Sequence, residues 1–342
     1  MMNIQSLMAR GAGFLGVEHG IMCGAMSWVS ERNLVSAISN AGAFGVIACG
    51  AMPPARLAEE IVATQAMTSR PFGVNLITMH PQLVALLEVC IAHQVGTMIF
   101  AGGIPSGAIL AQARAAGMKI ICFAPTLAMG RRLVRAGADA LVIEGSEAGG
   151  HIGPVSLQVL AQEILPHVRD VPVFVAGGIG RGEAILSFLE MGAAGVQLGT
   201  RFVCATECIA HPKFKAAYIR AQARDAMPSV QLDDQFPVVP VRALKNAATL
   251  RFMQHQGVVL RKFQSGELSK DAAQLDIEHF WAGALRRAVV DGDVEEGSLM
   301  AGQSVGLVTR EQSVAEIIAE LIDQANAALA ARRDFASTPA LG

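Results

Sequence analysis

The sequence predicts an α/β fold: a (β/α)8 TIM barrel with a small, mainly helical second domain inserted before the last barrel helix. Three observations point there. Eight short apolar runs recur as far as Phe202, with amphipathic stretches between them. Gly42, Gly117, Gly137 and Gly192 stand just past four of those stretches, where a left-handed residue ends a helix. Hydrophobic residues make up 52% of the chain and charged ones only 16%, a balance that suits parallel strands buried on both faces. An open doubly wound sheet is the competitor, but eight even units without a reversal of order suit closure better.

The strands are expected at 21–23, 44–49, 72–77, 97–101, 119–124, 140–144, 171–176 and 196–202. Helices are expected at 31–40, 54–67, 81–93, 106–116, 127–136, 156–167 and 182–191. Pro54 and Pro81 fall where a first helical turn tolerates proline. The segment 205–296 reads as the second domain, with a proline-marked break at 236–240. Residues 1–204 and 297–342 then form the barrel, and Ile317, Ile318, Leu321 and Ile322 give the stripe of its closing helix.

Several function classes are disfavoured. A net charge of −2 gives no overall pull toward nucleic acid or a membrane surface. The longest uncharged stretch, 33–55, is broken by glycines and Pro53-Pro54 and is no membrane span. The six cysteines form no CxxC pair and read as buried, reduced thiols. No Cys/His metal spacing, HExxH, GxSxG or Walker lysine is present, and no GxGxxG follows the first strand. The N-terminus has no signal-peptide profile, so a cytosolic enzyme is expected.

The candidate site lies where the sixth strand ends. LVIEGSEAGGHIG (141–153) runs from a strand into glycine-rich backbone around His151. Backbone without Cβ atoms admits something flat or anionic, and the imidazole sets an acid or base beside it. The ends of strands seven and eight carry Gly177, Gly178, Gly199 and Thr200, donors suited to a phosphate. Strand one ends in Gly24, Ala25 and Met26, and strand three carries Asn75, whose amide needs partners inside an apolar run. Glu144 and Glu147 suit hydrogen bonds to turn backbone better than catalysis. A phosphate rim beside a glycine-lined centre describes a phosphorylated ring cofactor, and FMN fits best.

Seven segments add specificity: IMCGAMSWV (21–29), PFGVNL (71–76), EGSEAGGHIG (144–153), VAGGIGRGE (175–183), VQLGTRF (196–202), RALKN (242–246) and GDVEEGSLMAGQSVGLV (292–308). Together they resemble the nitronate monooxygenase (2-nitropropane dioxygenase) family, which includes the FMN-dependent enoyl-acyl-carrier-protein reductase II. The resemblance implies FMN across the barrel mouth. Its phosphate would lie on Gly177, Gly178, Gly199 and Thr200. Its ring would lie on Gly24, Ala25, Met26, Asn75, Ala148 and Gly149, with Gly150 in the same turn. His151 matches the family's proposed acid–base histidine. Cys23 and Ala25 depart from the family, which commonly has glutamine and glycine there.

The reading that follows is oxidation of alkyl nitronates or nitroalkanes with O2 through the flavin, His151 acting as base. The alternative is an enoyl-thioester reductase that uses NAD(P)H as reductant and His151 as proton donor. It takes support from the acid-free stretch 235–266, with Arg242, Lys245, Arg251, Arg261 and Lys262, a candidate face for pyrophosphate or an acidic carrier. A third reading is an FMN-binding barrel without turnover. The expected partners are a small-molecule substrate and, for the reductase, an acyl carrier protein, with a homodimer as the candidate assembly.

Overall fold

The computed structural model describes residues 3–50, 52–233 and 238–337, with side chains as far as 332. Its centre is a parallel sheet of β1 (Ile21–Cys23), β2 (Gly45–Ala48), β3 (Phe72–Ile77), β4 (Thr97–Ala101), β5 (Lys119–Phe123) and β6 (Ala140–Glu144), followed, after a two-residue strand β7 (Gly150–His151) outside it, by β8 (Val173–Ala176) and β9 (Gly195–Leu198). The order is β1-β9-β8-β6-β5-β4-β3-β2. A bridge between Met22 and Phe44 joins the two ends. There Cys23 N–H donates to Phe44 O at 2.9 Å and Phe44 N–H to Ile21 O at 2.8 Å. The sheet is a closed barrel.

Side chains alternate as a strand requires. Ile21, Cys23, Val74, Leu76, Leu141, Ile143, Val173 and Val175 pack outward under the helices. Met22, Phe44, Val46, Ile99, Ile121, Val142 and Phe174 fill the interior. That alternation turns Asn75, Glu144 and Gln197 inward at the C-terminal strand ends, where ligands bind in such barrels.

The outer ring runs through α2 (Arg32–Asn40), α3 (Pro54–Met67), α4 (Leu83–Ala92), α5 (Gly107–Ala115), α6 (Leu127–Ala136), α7 (Leu157–Ile164) and α8 (Gly182–Glu190). Pro54 is the first residue of its helix, as expected. Pro81 is not: Gln82 caps α4, so the proline lies outside it. The four helix-ending glycines all have left-handed backbone, with φ of 81°, 74°, 104° and 105° in chain order.

Two differences affect the site and its floor. The eighth barrel strand stops at Leu198; Gly199 caps a four-residue helix α9 (Thr200–Val203), whose Phe202 N–H bonds Gly199 O at 2.9 Å. The expected strand through Phe202 is therefore too long. The sequence reading also assigns no element before residue 21, yet an additional helix, α1 (Ile4–Leu15), precedes β1. Asn3 caps it by accepting from Ser6 N–H at 3.0 Å. Leu15, with Phe14 and Val17, packs beneath Met22 and Phe174 and plugs the barrel's lower end. Its inward stripe includes Gly11, where a Cβ would fall 2.1 Å from Ala194 O.

Beyond the barrel come α10 (Pro212–Arg220), β10 (Ala226–Pro228), β11 (Val241–Leu244), α11 (Ala247–Gln264) and α12 (Lys270–Val289), before α13 (Val314–Ser337) returns to pack on α8. Ile317, Ile318, Leu321 and Ile322 are all buried in that return. The intervening lobe has a core of its own around Phe252, Ile277 and Trp281. It also holds a three-stranded sheet, β10-β11-β7, whose last strand comes from the barrel's glycine-rich loop. Of the expected break at 236–240, residues 236 and 237 lie outside the described residues. Among the described residues no helix is long and apolar enough to cross a membrane, and all six cysteines are buried and unpaired.

Candidate active site

Three polar side chains form the top layer inside the barrel. Asn75 donates from Nδ2 to Ile99 O at 3.2 Å, while its Oδ1 has no partner among the described residues. Glu144 and Gln197 likewise make no side-chain hydrogen bond there. Burial pushes the Glu144 carboxyl up to about 8, so at neutral pH it is largely protonated and can donate a hydrogen bond. Glu147, by contrast, braces the turn by accepting from Leu157 N–H at 2.9 Å. Sequence reasoning singled out Asn75 but not Gln197, although alternation along VQL turns it inward.

Around this layer the strand ends are bare backbone. A Cβ on Gly24 would stand 3.4 Å from Gly199 Cα, and one on Gly199 would stand 3.5 Å from the Met26 sulfur. The ends of β1 and β9 therefore bring Gly24, Met26 and Gly199 together, with Ala25 exposed beside them. Gly177 and Gly178 have φ of 100° and 71°, a backbone that other residues rarely adopt. Gly177 packs on Gly145 and Ala148, and Gly178 on Glu147.

A strap from beyond the second lobe completes the rim. Gly302 N–H donates to Thr200 Oγ1 at 2.9 Å, and Gln303 N–H donates to Glu147 O at 2.9 Å. Gly149 faces the strap so closely that a Cβ would fall 2.5 Å from Gly302 N. The fully buried Tyr218 anchors the strap by donating its hydroxyl hydrogen to Met300 O. In the sequence this segment stands out only through the family resemblance, and nothing local marks its residues as part of the site.

His151 stands on β7, opposite Val241 of β11. Its neighbour Ile152 donates N–H to Pro240 O at 2.9 Å. Arg242 clamps the same loop, donating from Nε to Ser146 O at 3.0 Å and from Nη1 to Ala226 O at 2.5 Å. It is buried, and that burial lowers its pKa. Arg242 is thus a strut between lobes and no part of an exposed basic face. Arg251 pairs with Glu296, and Lys262 with Glu267 at 3.4 Å. Lys245 and Arg261 have no ion pair among the described residues. The imidazole of His151 meets α12, its Nε2 lying 3.1 Å from Glu278 Oε1. Nothing in the sequence marked Glu278.

Two cavities open on this face. One of about 400 Å³ lies outside Gly178, between Glu147, Gln222, Gln303 and Ser304. The other, about 230 Å³, is lined by Gly102, Phe123, Pro125, Met129, Glu144 and Pro154. Unpartnered polar groups at the barrel top, a floor without Cβ atoms and a left-handed glycine rim suit a flat polar ring with a phosphate. FMN fits these residues. Gly177, Gly178, Gly199 and Thr200 would hold the phosphate, and Gly24, Ala25, Met26, Asn75, Ala148, Gly149 and Gly150 would border the ring.

The model of the family described as nitronate monooxygenase matches residues 9–85 and 81–324. The chain belongs to that family. FabK from Thermotoga maritima has the same architecture, at 33% identity and a TM-score of 0.85 over 95% of this chain and 98% of its own. A nitroalkane oxidase from Streptomyces ansochromogenes matches at 27% identity with a TM-score of 0.77, over 94% and 99%. A curated relative from Mycobacterium tuberculosis, (3aS,4S,5R,7aS)-5-hydroxy-7a-methyl-1-oxo-octahydro-1H-indene-4-carboxyl-CoA dehydrogenase, is 29% identical over 90% of this chain and 93% of its own. The protein is an oxidoreductase.

Proposed function

We propose that this oxidoreductase interconverts α,β-unsaturated and saturated acyl thioesters, with FMN in the barrel mouth and His151 as the acid–base group. The observation that carries the choice is the carboxylate of Glu278, 3.1 Å from the His151 ring. A nitronate arrives as an anion, and a carboxylate at the imidazole repels it. A thioester is neutral and needs a proton given to or taken from its α-carbon, the work an imidazole backed by a carboxylate does well. Two of the similar proteins support the same substrate class: FabK, an enoyl-ACP reductase II, and the CoA dehydrogenase.

When bound, FMN supplies hydride exchange with the β-carbon of the thioester and, in the reductive direction, takes hydride from NAD(P)H. The chain's own residues do the rest. Bare backbone at Gly24, Gly149 and Gly199 lets a ring lie close to the strand ends. The neutral Glu144 carboxyl offers a hydrogen bond from below. His151 moves the proton at the α-carbon, and its exposed position lets it exchange that proton with solvent. Acyl-CoA or an acyl carrier protein is the proposed donor of the thioester.

Oxidation of nitronates is the second reading, favoured by the nitroalkane oxidase neighbour. Anaerobic mixing separates the two. Flavin-loaded protein reduced by NAD(P)H and reoxidised by an enoyl-CoA supports the thioester reading. Bleaching by an alkyl nitronate, with no response to NAD(P)H or to an acyl-CoA, supports the second.

A further inference from the structure

We infer that Glu278 is the positioning residue of the acid–base group: it holds the Nε2–H of His151, which leaves Nδ1 as the atom that exchanges a proton with substrate. This rests on His151 being the acid–base group, as proposed above. A carboxylate only accepts hydrogen bonds. With Glu278 Oε1 3.1 Å from Nε2, the proton of the neutral imidazole sits on Nε2 and the lone pair on Nδ1. Among the described residues the ring has no other hydrogen-bond partner.

Both ends of the pair are held by the surrounding fold. The His151 backbone is paired with β11, and Arg242 clamps the loop before it. Glu278 follows Ile277, which is buried, and lies three residues before Trp281, whose ring centroid is 4.1 Å from that of Phe252. The contact therefore joins the barrel loop to the core of the second lobe. It does little for stability, because the two side chains are 43% and 41% exposed and solvated ion pairs add little to folding. A carboxylate so placed fixes the tautomer and stabilises the imidazolium.

The proton step balances in either direction. In reduction, bound FMN would supply a hydride to the β-carbon, which would leave the thioester as an enolate. The enolate's electron pair then takes the proton from Nδ1, forming the α-carbon C–H bond and leaving a neutral imidazole protonated on Nε2. In oxidation, Nδ1 would take the α-proton while bound oxidised FMN would accept the hydride from the β-carbon as the C=C bond forms.

The test uses flavin-loaded protein, an enoyl-CoA substrate and the variants Glu278→Ala and His151→Ala. Glu278→Ala is expected to lower kcat about ten- to a hundredfold, by analogy with outer-shell partners of ligating histidines, with KM and flavin content unchanged. Added to His151→Ala, it is expected to cost nothing further. A Glu278→Ala enzyme at full rate overturns the inference, and so does a double variant slower than His151→Ala by the whole Glu278→Ala factor. Full activity in His151→Ala alone refutes the reading of His151 instead. Nitrogen-15 spectra of the wild-type imidazole give an independent readout: a ring protonated on Nε2 agrees, and one protonated on Nδ1 overturns the assignment.

Discussion

Gly302 donates its backbone N–H to the hydroxyl of Thr200 across 2.9 Å, tying the strap after the second lobe to the glycine-rich rim of the barrel. The strap occupies one of the hydroxyl's two lone pairs and leaves its hydrogen available for donation to an anion. A cofactor bound at the rim, as proposed, would be coupled to how the strap is seated.

Tyr218→Phe tests that coupling. The hydroxyl holding Met300 O is lost from a fully buried ring, which leaves the carbonyl unpaired. We expect about 1–3 kcal/mol of lost stability and weaker FMN binding, read by thermal melts with and without the cofactor. An FMN affinity equal to wild type argues that the strap does not support the rim.

Gly178→Val together with Thr200→Val removes the rim itself. Gly178 has a φ of 71°, and a Cβ there would fall 2.9 Å from Glu147 Cβ. The variant should purify without colour while its circular dichroism stays that of the wild type. A fully yellow protein would place the phosphate elsewhere.

Glu144 gives a pH signature in the flavin-free protein. Its folded pKa of about 8 lies above the 4.5 of a free glutamate, so the folded state retains a proton that the unfolded chain releases in between. Stability should fall as pH rises through that window, with a slope approaching about 1.4 kcal/mol per pH unit from this one group. Glu144→Gln should flatten the slope and leave stability below pH 4 unchanged. A variant with the wild-type slope assigns the dependence to other groups.

His151→Ala should keep the flavin and lose about two to four orders of magnitude in turnover, the range for acid–base catalysis. Steady-state rates on matched flavin content give the comparison, and wild-type turnover would remove His151 from the mechanism.

The barrel was legible because strands buried on both faces read as unbroken apolar runs, and Gly42, Gly117, Gly137 and Gly192 punctuate them. The helix at 4–15 was not, since its buried stripe passes through Gly11 and Ala12, residues chosen for close approach rather than hydrophobicity. The strand proposed through Phe202 overran because a β-branched threonine and a phenylalanine suit either a strand end or a helical turn. The candidate residues on the strand ends could be picked out from the sequence, since glycine runs and a lone histidine are local signals. Glu278 and Gly302 were not, because their roles arise from contacts 127 and 102 residues away along the chain. Arg242 misled for the same reason: its basic character is local, but the carbonyls it binds are not.

The most direct measurement is the anaerobic visible spectrum of flavin-loaded protein, reduced with NAD(P)H and then titrated with an enoyl-CoA. The yellow band is expected to bleach with NAD(P)H and to return by one equivalent for each equivalent of thioester added, with a saturated acyl-CoA as product. A band that ignores both NAD(P)H and the thioester but bleaches on adding an alkyl nitronate would contradict the thioester reading.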